Sequence, residues 1–124
     1  MDKRPRSITI VSWIFIVFGS IALLGSLLEI FNTATAQRGA YLKGHWMIPV
    51  VRLLALVAGV FMLYGFNWAR WLLVVWLAYH VVLGAFHSAL ELVVHSLLFA
   101  VVLYFLFRRQ TSAYFLQHRL DAAP

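Results

Sequence analysis

The chain has 124 residues, of which 64% are hydrophobic and only 11% are charged, and it contains no cysteine. A soluble domain of this length cannot hide so much apolar surface, because small globules leave a large fraction of their area in water. The composition therefore predicts an integral membrane protein, and the lack of cysteine excludes disulfides, thiolate nucleophiles and cysteine-based metal sites. The expected fold class is all-α, a four-helix transmembrane bundle, since a spanning helix satisfies its backbone polar groups without water.

The first half of the chain predicts two transmembrane helices. They cover about residues 8–31 and 47–66, and residues 32–45 are predicted to form a long polar loop between them. Pro49 suits the first turn of the second helix, where a missing amide hydrogen costs little. Small residues recur along both helices and predict close helix packing in lipid. They are Ser12, Gly19 and Ser26 in the first helix and Gly59 in the second.

The third and fourth transmembrane helices are predicted from one apolar run of 40 residues, 68–107. As one helix this run would be about 60 Å long, roughly twice the thickness of the hydrocarbon core of a bilayer. It must therefore fold back near His87 and Ser88, which gives spans at about 69–86 and 89–107. Ser88 and Glu91 form an S-x-x-E capping box, which independently predicts a helix start at this turn. Gly84 is a further predicted packing residue.

The remaining residues, 110–124, predict a short amphipathic tail, and the whole chain reads as one membrane domain. The formal net charge is +6, and most basic residues flank the same ends of the predicted helices: Lys3, Arg4, Arg6, Arg70, Arg108, Arg109 and Arg119. Only Arg38 and Lys43 flank the opposite ends. The positive-inside rule then predicts that both termini are cytoplasmic. The charge thus indicates orientation, with anionic lipid headgroups rather than nucleic acid as partners.

Six ionisable side chains lie within or beside the predicted spans, where such groups are costly and indicate function. All six fall in the half of the membrane away from the termini: Glu29, Arg52, His80, His87, Glu91 and His95. The sequence therefore predicts a polar pocket open toward the outer leaflet, with these residues as its candidate ligand or cofactor site. Two interpretations of Arg52 stay open, namely a pair with Glu29 or Glu91 across the bundle and snorkelling to nearby headgroups.

His80 and His95 are the candidate metal ligands. They lie equally far from the centre of the hairpin, which places both about 11 Å below the turn. If their helix faces meet, two neutral imidazoles could bind a divalent metal ion or the iron of a haem. The alternative is that each imidazole bonds to a neighbouring carbonyl, hydroxyl or water. His87, Glu91 and His95 would align on one continuous helix, but the predicted turn at His87 interrupts it.

Two stretches resemble a known group of proteins. Residues 4–10 (R-P-R-S-I-T-I) before the first span and 67–71 (N-W-A-R-W) before the third are similar to those of small, uncharacterised bacterial inner-membrane proteins with four predicted spans. The resemblance implies the bacterial cytoplasmic membrane and no particular activity. The sequence has no catalytic motif, so the leading hypothesis is a non-enzymatic accessory subunit or a small homo-oligomer. The alternatives are a haem- or metal-binding redox protein that uses His80 and His95, and a small transporter or channel.

Overall fold

The computed structural model describes residues 4–121 as six α-helices, and none of these residues lies in a strand. The helices are α1 (Arg6–Asn32), α2 (Thr35–His45), α3 (Met47–Leu63), α4 (Asn67–His87), α5 (Ala89–Phe107) and α6 (Arg109–Asp121). The predicted all-α fold class is confirmed. Lys3 and the last three residues of the predicted tail lie outside the described residues.

Three helices, α1, α4 and α5, are each long and apolar enough to cross a membrane. The helix α3 has 17 residues and is therefore about 25 Å long. It joins α2 at a bend of 62°, and the bent pair is also long and apolar enough if it counts as one broken span. The described chain thus holds three candidate spans, or four with the bent pair.

The prediction of a loop over 32–45 is wrong for Thr35–His45, which forms the helix α2. This segment contains no proline and several residues that favour helix, namely Ala36, Gln37, Ala40, Leu42 and Lys43. Arg38 attaches α2 to α1, because its Nη2 donates to the carbonyl oxygens of Phe31 (3.1 Å) and Thr33 (3.3 Å). Those carbonyls lie at the end of α1, where no further helical turn supplies donors.

The helix α3 ends at Leu63, short of the predicted residue 66, because Gly65 reverses the chain. Gly65 has a φ of 80°, and its amide donates to the carbonyl of Met62 at 3.1 Å. The amide of Phe66 donates to the carbonyl of Phe61 at 3.1 Å, which completes a Schellman motif. The rings of Phe66 and Phe61 also pack, with centroids 5.5 Å apart. Glycine thus fixes this turn, since other residues rarely adopt a positive φ.

The four long helices pack in the order α1, α3, α4, α5. α1 lies closely along α3, α4 lies along α5, and α3 packs on α4, whereas α1 and α5 touch in few places. We call the end where α1 begins and α6 lies the terminal end, and the opposite end, with α2 and the α4–α5 turn, the distal end. The buried core occupies mainly the terminal half: Ile8, Val11, Phe15, Ala55, Ala58, Met62, Ala69, Leu73, Leu77, Val102, Leu106 and Phe115.

Three of the predicted packing residues are glycines at points where helix backbones approach closely. A Cβ added to Gly19 would fall 3.1 Å from a backbone nitrogen of α3, and one added to Gly59 would fall 2.9 Å from the carbonyl oxygen of Ser12. Gly84 has the same relation to α5, since its Cβ would lie 3.0 Å from the backbone nitrogen of Leu92. Small residues therefore bring α1 onto α3 and α4 onto α5.

Most of the predicted tail forms the helix α6, which packs on the terminal end of the bundle. Thr111 and Phe115 lie one turn apart on the same face, and both are buried. The Thr111 hydroxyl donates to the carbonyl of Phe105 at 2.8 Å and lies 3.4 Å from the hydroxyl of Ser7 in α1. α6 is therefore attached to the bundle through one face, and its other faces are largely exposed.

Candidate functional site

A cavity of about 430 Å³ lies between α1 and α5, in the middle of the bundle and toward the distal end. Its volume is within the range of about 300–1,000 Å³ that small-molecule sites occupy. Phe18 and Leu98 line the cavity and are also exposed on the outside of the bundle, so the cavity opens sideways where α1 and α5 do not close. Its full lining is Ile14, Phe15, Phe18, Gly19, Ala22, Arg52, Ala55, Trp76, His95 and Leu98.

Arg52 is the cationic group of this cavity. Its Nη1 donates to the carbonyl oxygen of Ala22 at 2.8 Å and to the hydroxyl of Ser26, both in α1. Ser26 is buried and donates in turn to the carbonyl of Ala22 at 3.3 Å. The predicted packing residue Ser26 therefore also holds a guanidinium. The predicted ion pair of Arg52 with Glu29 or Glu91 does not form. Over residues 4–121, the only contact within 4.0 Å between a basic side chain and a carboxylate joins His87 and Glu91.

The two carboxylates lie elsewhere at the distal end. The Glu91 carboxylate is 3.5 Å from Nδ1 of His87, and both side chains are exposed at the α4–α5 turn. The amide of Glu91 donates to Oγ of Ser88 at 3.1 Å, so the Ser88 side of the predicted capping box forms while the carboxylate pairs with His87 instead. Glu29 lies near Tyr41 of α2.

His80 and His95 lie side by side across α4 and α5. Their ring centroids are 5.8 Å apart and their planes differ by 33°. Nδ1 of His80 donates to the carbonyl of Trp76 at 2.9 Å, and Nδ1 of His95 donates to the carbonyl of Glu91 at 2.8 Å. Because a carbonyl oxygen only accepts, Nδ1 of each ring carries a proton, and in the neutral form of the ring the lone pair lies on Nε2. That lone pair is what a metal ion would bind.

The two imidazoles fit only part of a metal site. In the part of the chain that the structure describes, no group of three or more His, Cys, Asp or Glu side chains comes together. Structural zinc sites use four protein ligands, and catalytic zinc sites use three. His80 and His95 could therefore supply two ligands, and the remaining positions would have to be filled from outside residues 4–121.

Trp76 connects the histidine pair to the cavity and is not among the predicted site residues. Its Nε1 donates to the carbonyl of Val51 in α3 at 2.6 Å. Its ring lies 3.9 Å from the His80 ring and meets the Phe15 ring edge-on at 5.7 Å. Trp76 thus contacts both α1 and α3 and lies between the cavity and His80. The available signal was a tryptophan in mid-span, away from the interfaces where this residue is enriched.

Arg70 is a second residue whose role the sequence did not reveal. The positive-inside interpretation counts it as a flanking charge, but the side chain is only 9% exposed. Its guanidinium lies over the rings of Phe107 (4.5 Å) and Phe115 (5.2 Å). Nη1 donates to the carbonyl of Leu106 at 3.4 Å and to the hydroxyl of Ser112 at 3.3 Å. Arg70 therefore joins α4, α5 and α6 at the terminal end, and its role is structural.

The six predicted site residues therefore separate into three places. Arg52 and His95 line the cavity, with His80 beside His95. His87 and Glu91 lie at the exposed turn, and Glu29 lies near α2. The cavity is accordingly more apolar than the predicted polar pocket. No family model, curated protein or solved structure was found to match the chain, so its function is argued from these residues.

Proposed function

We propose that the chain is a four-span integral protein of the bacterial cytoplasmic membrane with both termini in the cytoplasm. Three helices and the bent α2–α3 pair are long and apolar enough to supply the four crossings. The basic residues support the orientation, because Arg4, Arg6, Arg109 and Arg119 belong to segments at the terminal end. Arg4 donates there to the carbonyl of Leu63 at the end of α3. An excess of Arg and Lys marks the cytoplasmic side of spanning helices.

The function we propose is binding rather than catalysis: the protein holds a lipid-soluble ligand in the cavity between α1 and α5. The observation that carries this proposal is that an apolar cavity opens sideways between α1 and α5, two helices that touch in few places. We call a line of contact between two neighbouring helices a seam. A molecule dissolved in the bilayer can enter such a cavity without crossing water. Apolar walls with a few convergent polar groups are typical of small-molecule sites. This role suits an accessory subunit or a small homo-oligomer, since neither requires catalytic groups.

The transporter alternative has less support. In the terminal half of the bundle the buried side chains are mostly apolar, apart from Ser7, Ser12, Arg70 and Thr111, and α6 covers this end with the buried side chain of Phe115. A single copy therefore offers mainly apolar contacts between the cavity and the terminal end. The seam between α1 and α5 leads instead into the lipid phase, which favours a binding site.

A photo-crosslinking experiment tests the proposed function. The probe is a long-chain alcohol that carries a diazirine, added to the protein in bilayer nanodiscs. We expect crosslinks on α1 and α5 at the cavity, and we expect Ala22→Phe to remove them because Ala22 lines the cavity. Ala100→Phe is the matched control, since Ala100 is exposed on α5 and does not line the cavity. Labelling spread evenly over all lipid-facing helices in the wild type would refute the proposal.

A metal- or haem-binding redox protein is the second candidate, because one observation favours it. The His80 and His95 rings are adjacent, and each has Nδ1 fixed by a carbonyl, an arrangement that orients metal-bound histidines. An absorption spectrum and a metal analysis of purified protein test this candidate directly. A protein that stays colourless and metal-free after incubation with Zn²⁺, Cu²⁺ and haem would eliminate it.

A further inference from the structure

We propose that the ligand of the cavity is a single-chain amphiphile with a carboxylate headgroup, that is, a long-chain carboxylic acid taken from the membrane, and that Arg52 binds the carboxylate. This inference rests on the proposed function and specifies the chemical class of its ligand. Three features support it: the charge of Arg52, the hydrogen-bond donors of this residue that remain unused, and the shape of the cavity.

The first step is the charge. Arg52 is partly buried between α1 and α3, and it lines the cavity. Its hydrogen-bond partners are neutral oxygens, the carbonyl of Ala22 and the hydroxyl of Ser26. Over residues 4–121 no Asp or Glu carboxylate lies within ion-pair distance of it. A cation held partly out of water with no carboxylate in contact favours an anionic ligand, because burial of a charge is costly unless the charge is paired.

The second step is the donor geometry. Both hydrogen bonds to α1 leave from Nη1. The edge of the guanidinium formed by Nε and Nη2 makes no hydrogen bond to another described residue. That edge presents two parallel N–H groups, which match the two oxygens of a carboxylate in a bidentate pair. The bonds to Ala22 and Ser26 also hold the guanidinium in place, so less side-chain freedom is lost when the anion binds.

The third step is the remainder of the cavity. Apart from Arg52, the walls offer a tryptophan whose N–H is already bonded to Val51 and the imidazole of His95. The other lining side chains are apolar, among them Ile14, Phe18 and Leu98. One charged donor beside an apolar cavity matches a molecule with one acidic group and one hydrocarbon chain. The cavity volume of about 430 Å³ suits one chain, and the seam between α1 and α5 admits it from the bilayer.

The experiment compares two diazirine probes of equal chain length, a carboxylic acid and the corresponding alcohol, on the wild-type protein in nanodiscs of neutral lipid. We expect the acid to bind at least about tenfold more tightly, because a hydrogen bond to a charged group is worth more than one to a neutral group. Arg52→Gln should abolish this preference while the alcohol still labels the cavity. Arg38→Gln is the matched control, since Arg38 binds α1 carbonyls away from the cavity and should leave the preference intact.

Each outcome separates this inference from the proposed function. Equal labelling of the cavity by acid and alcohol in the wild type would overturn the inference and leave the proposed function standing. Absence of cavity labelling by either probe would overturn both. Displacement of the acid probe by a two-chain anionic phospholipid, with no displacement by unlabelled free acid, would overturn the assignment to a single-chain acid. The wild-type comparison decides the inference even if Arg52→Gln fails to fold.

Discussion

The substitution Gly59→Ala tests how closely α1 approaches α3. The added Cβ would fall 2.9 Å from the carbonyl oxygen of Ser12, 3.0 Å from Cγ1 of Ile16 and 3.2 Å from the backbone nitrogen of Ile16. Carbon–oxygen contacts normally settle at about 3.3–3.6 Å, so the two helices must separate by roughly half an ångström. Two of the three contacts are to backbone atoms, which cannot rotate away as a flexible side chain could.

The expected cost follows from this separation. A gap of about 0.5 Å forfeits roughly a quarter of the dispersion energy of the contacts concerned, and overpacking of this kind typically costs about 1–3 kcal/mol. Part of the cost is masked, because alanine is intrinsically better than glycine in a helix by about 0.5–1 kcal/mol. Gly25→Ala measures this intrinsic gain without the overpacking cost, since nothing lies within 4 Å of a Cβ added at Gly25 in α1.

We therefore expect Gly59→Ala to be less stable than Gly25→Ala by about 1–3 kcal/mol. The same glycine-to-alanine change is made in each helix, so the intrinsic term cancels in the difference. The measurement is reversible unfolding in mixed detergent micelles with increasing sodium dodecyl sulfate, followed by tryptophan fluorescence. If the two variants unfold at the same midpoint, α1 and α3 do not approach as closely as described.

Three further predictions concern other parts of the molecule. Arg70→Met should speed amide hydrogen exchange in α6 and leave exchange in α1 unchanged, because the variant loses a desolvated cation–π contact worth about 2 kcal/mol. Unchanged exchange in α6 would contradict the role of Arg70. Ser88→Ala should destabilise the α4–α5 hairpin by about 1 kcal/mol, as loss of a helix N-cap does, whereas Ser20→Ala on the exposed side of α1 should not. Reporter fusions at the two ends should both report the cytoplasm, and opposite signals would refute the four-span topology.

The hairpin turn was predictable because its causes are local. An apolar run too long for one crossing has to reverse, and a serine three residues before a glutamate marks where the next helix starts. The structure ends α4 at His87 and begins α5 at Ala89, with the Ser88 hydroxyl accepting from the amide of Glu91. The carboxylate of Glu91 was less predictable, because its pairing with His87 depends on side-chain rotamers at an exposed turn.

The sequence did not reveal the helix α2, because its polar composition is also typical of a loop. Polar residues are compatible with a helix, and the segment has good helix formers and no proline. The environment of Arg70 was missed for a different reason. Its burial depends on Phe107 and Phe115, which reach it only after α5 and α6 have packed. A basic residue close to a span therefore predicts which end of the helix faces the cytoplasm, but it does not predict how deeply its side chain is buried.

The cavity arises because some pairs of neighbouring helices pack closely and one pair does not, and the positions of the glycines partly predict this difference. Gly19 and Gly59 lie at the α1–α3 contact and Gly84 at the α4–α5 contact, so these seams close backbone to backbone. The helix α5 contains no glycine, and bulky residues such as Leu98 face the gap toward α1. Close approach in lipid requires small residues on the contacting faces, so the α1–α5 seam is the one expected to remain open. The position of Arg52 beside that seam depends on the rotation of α3, which its contact with Ser26 fixes and which residue spacing alone does not determine.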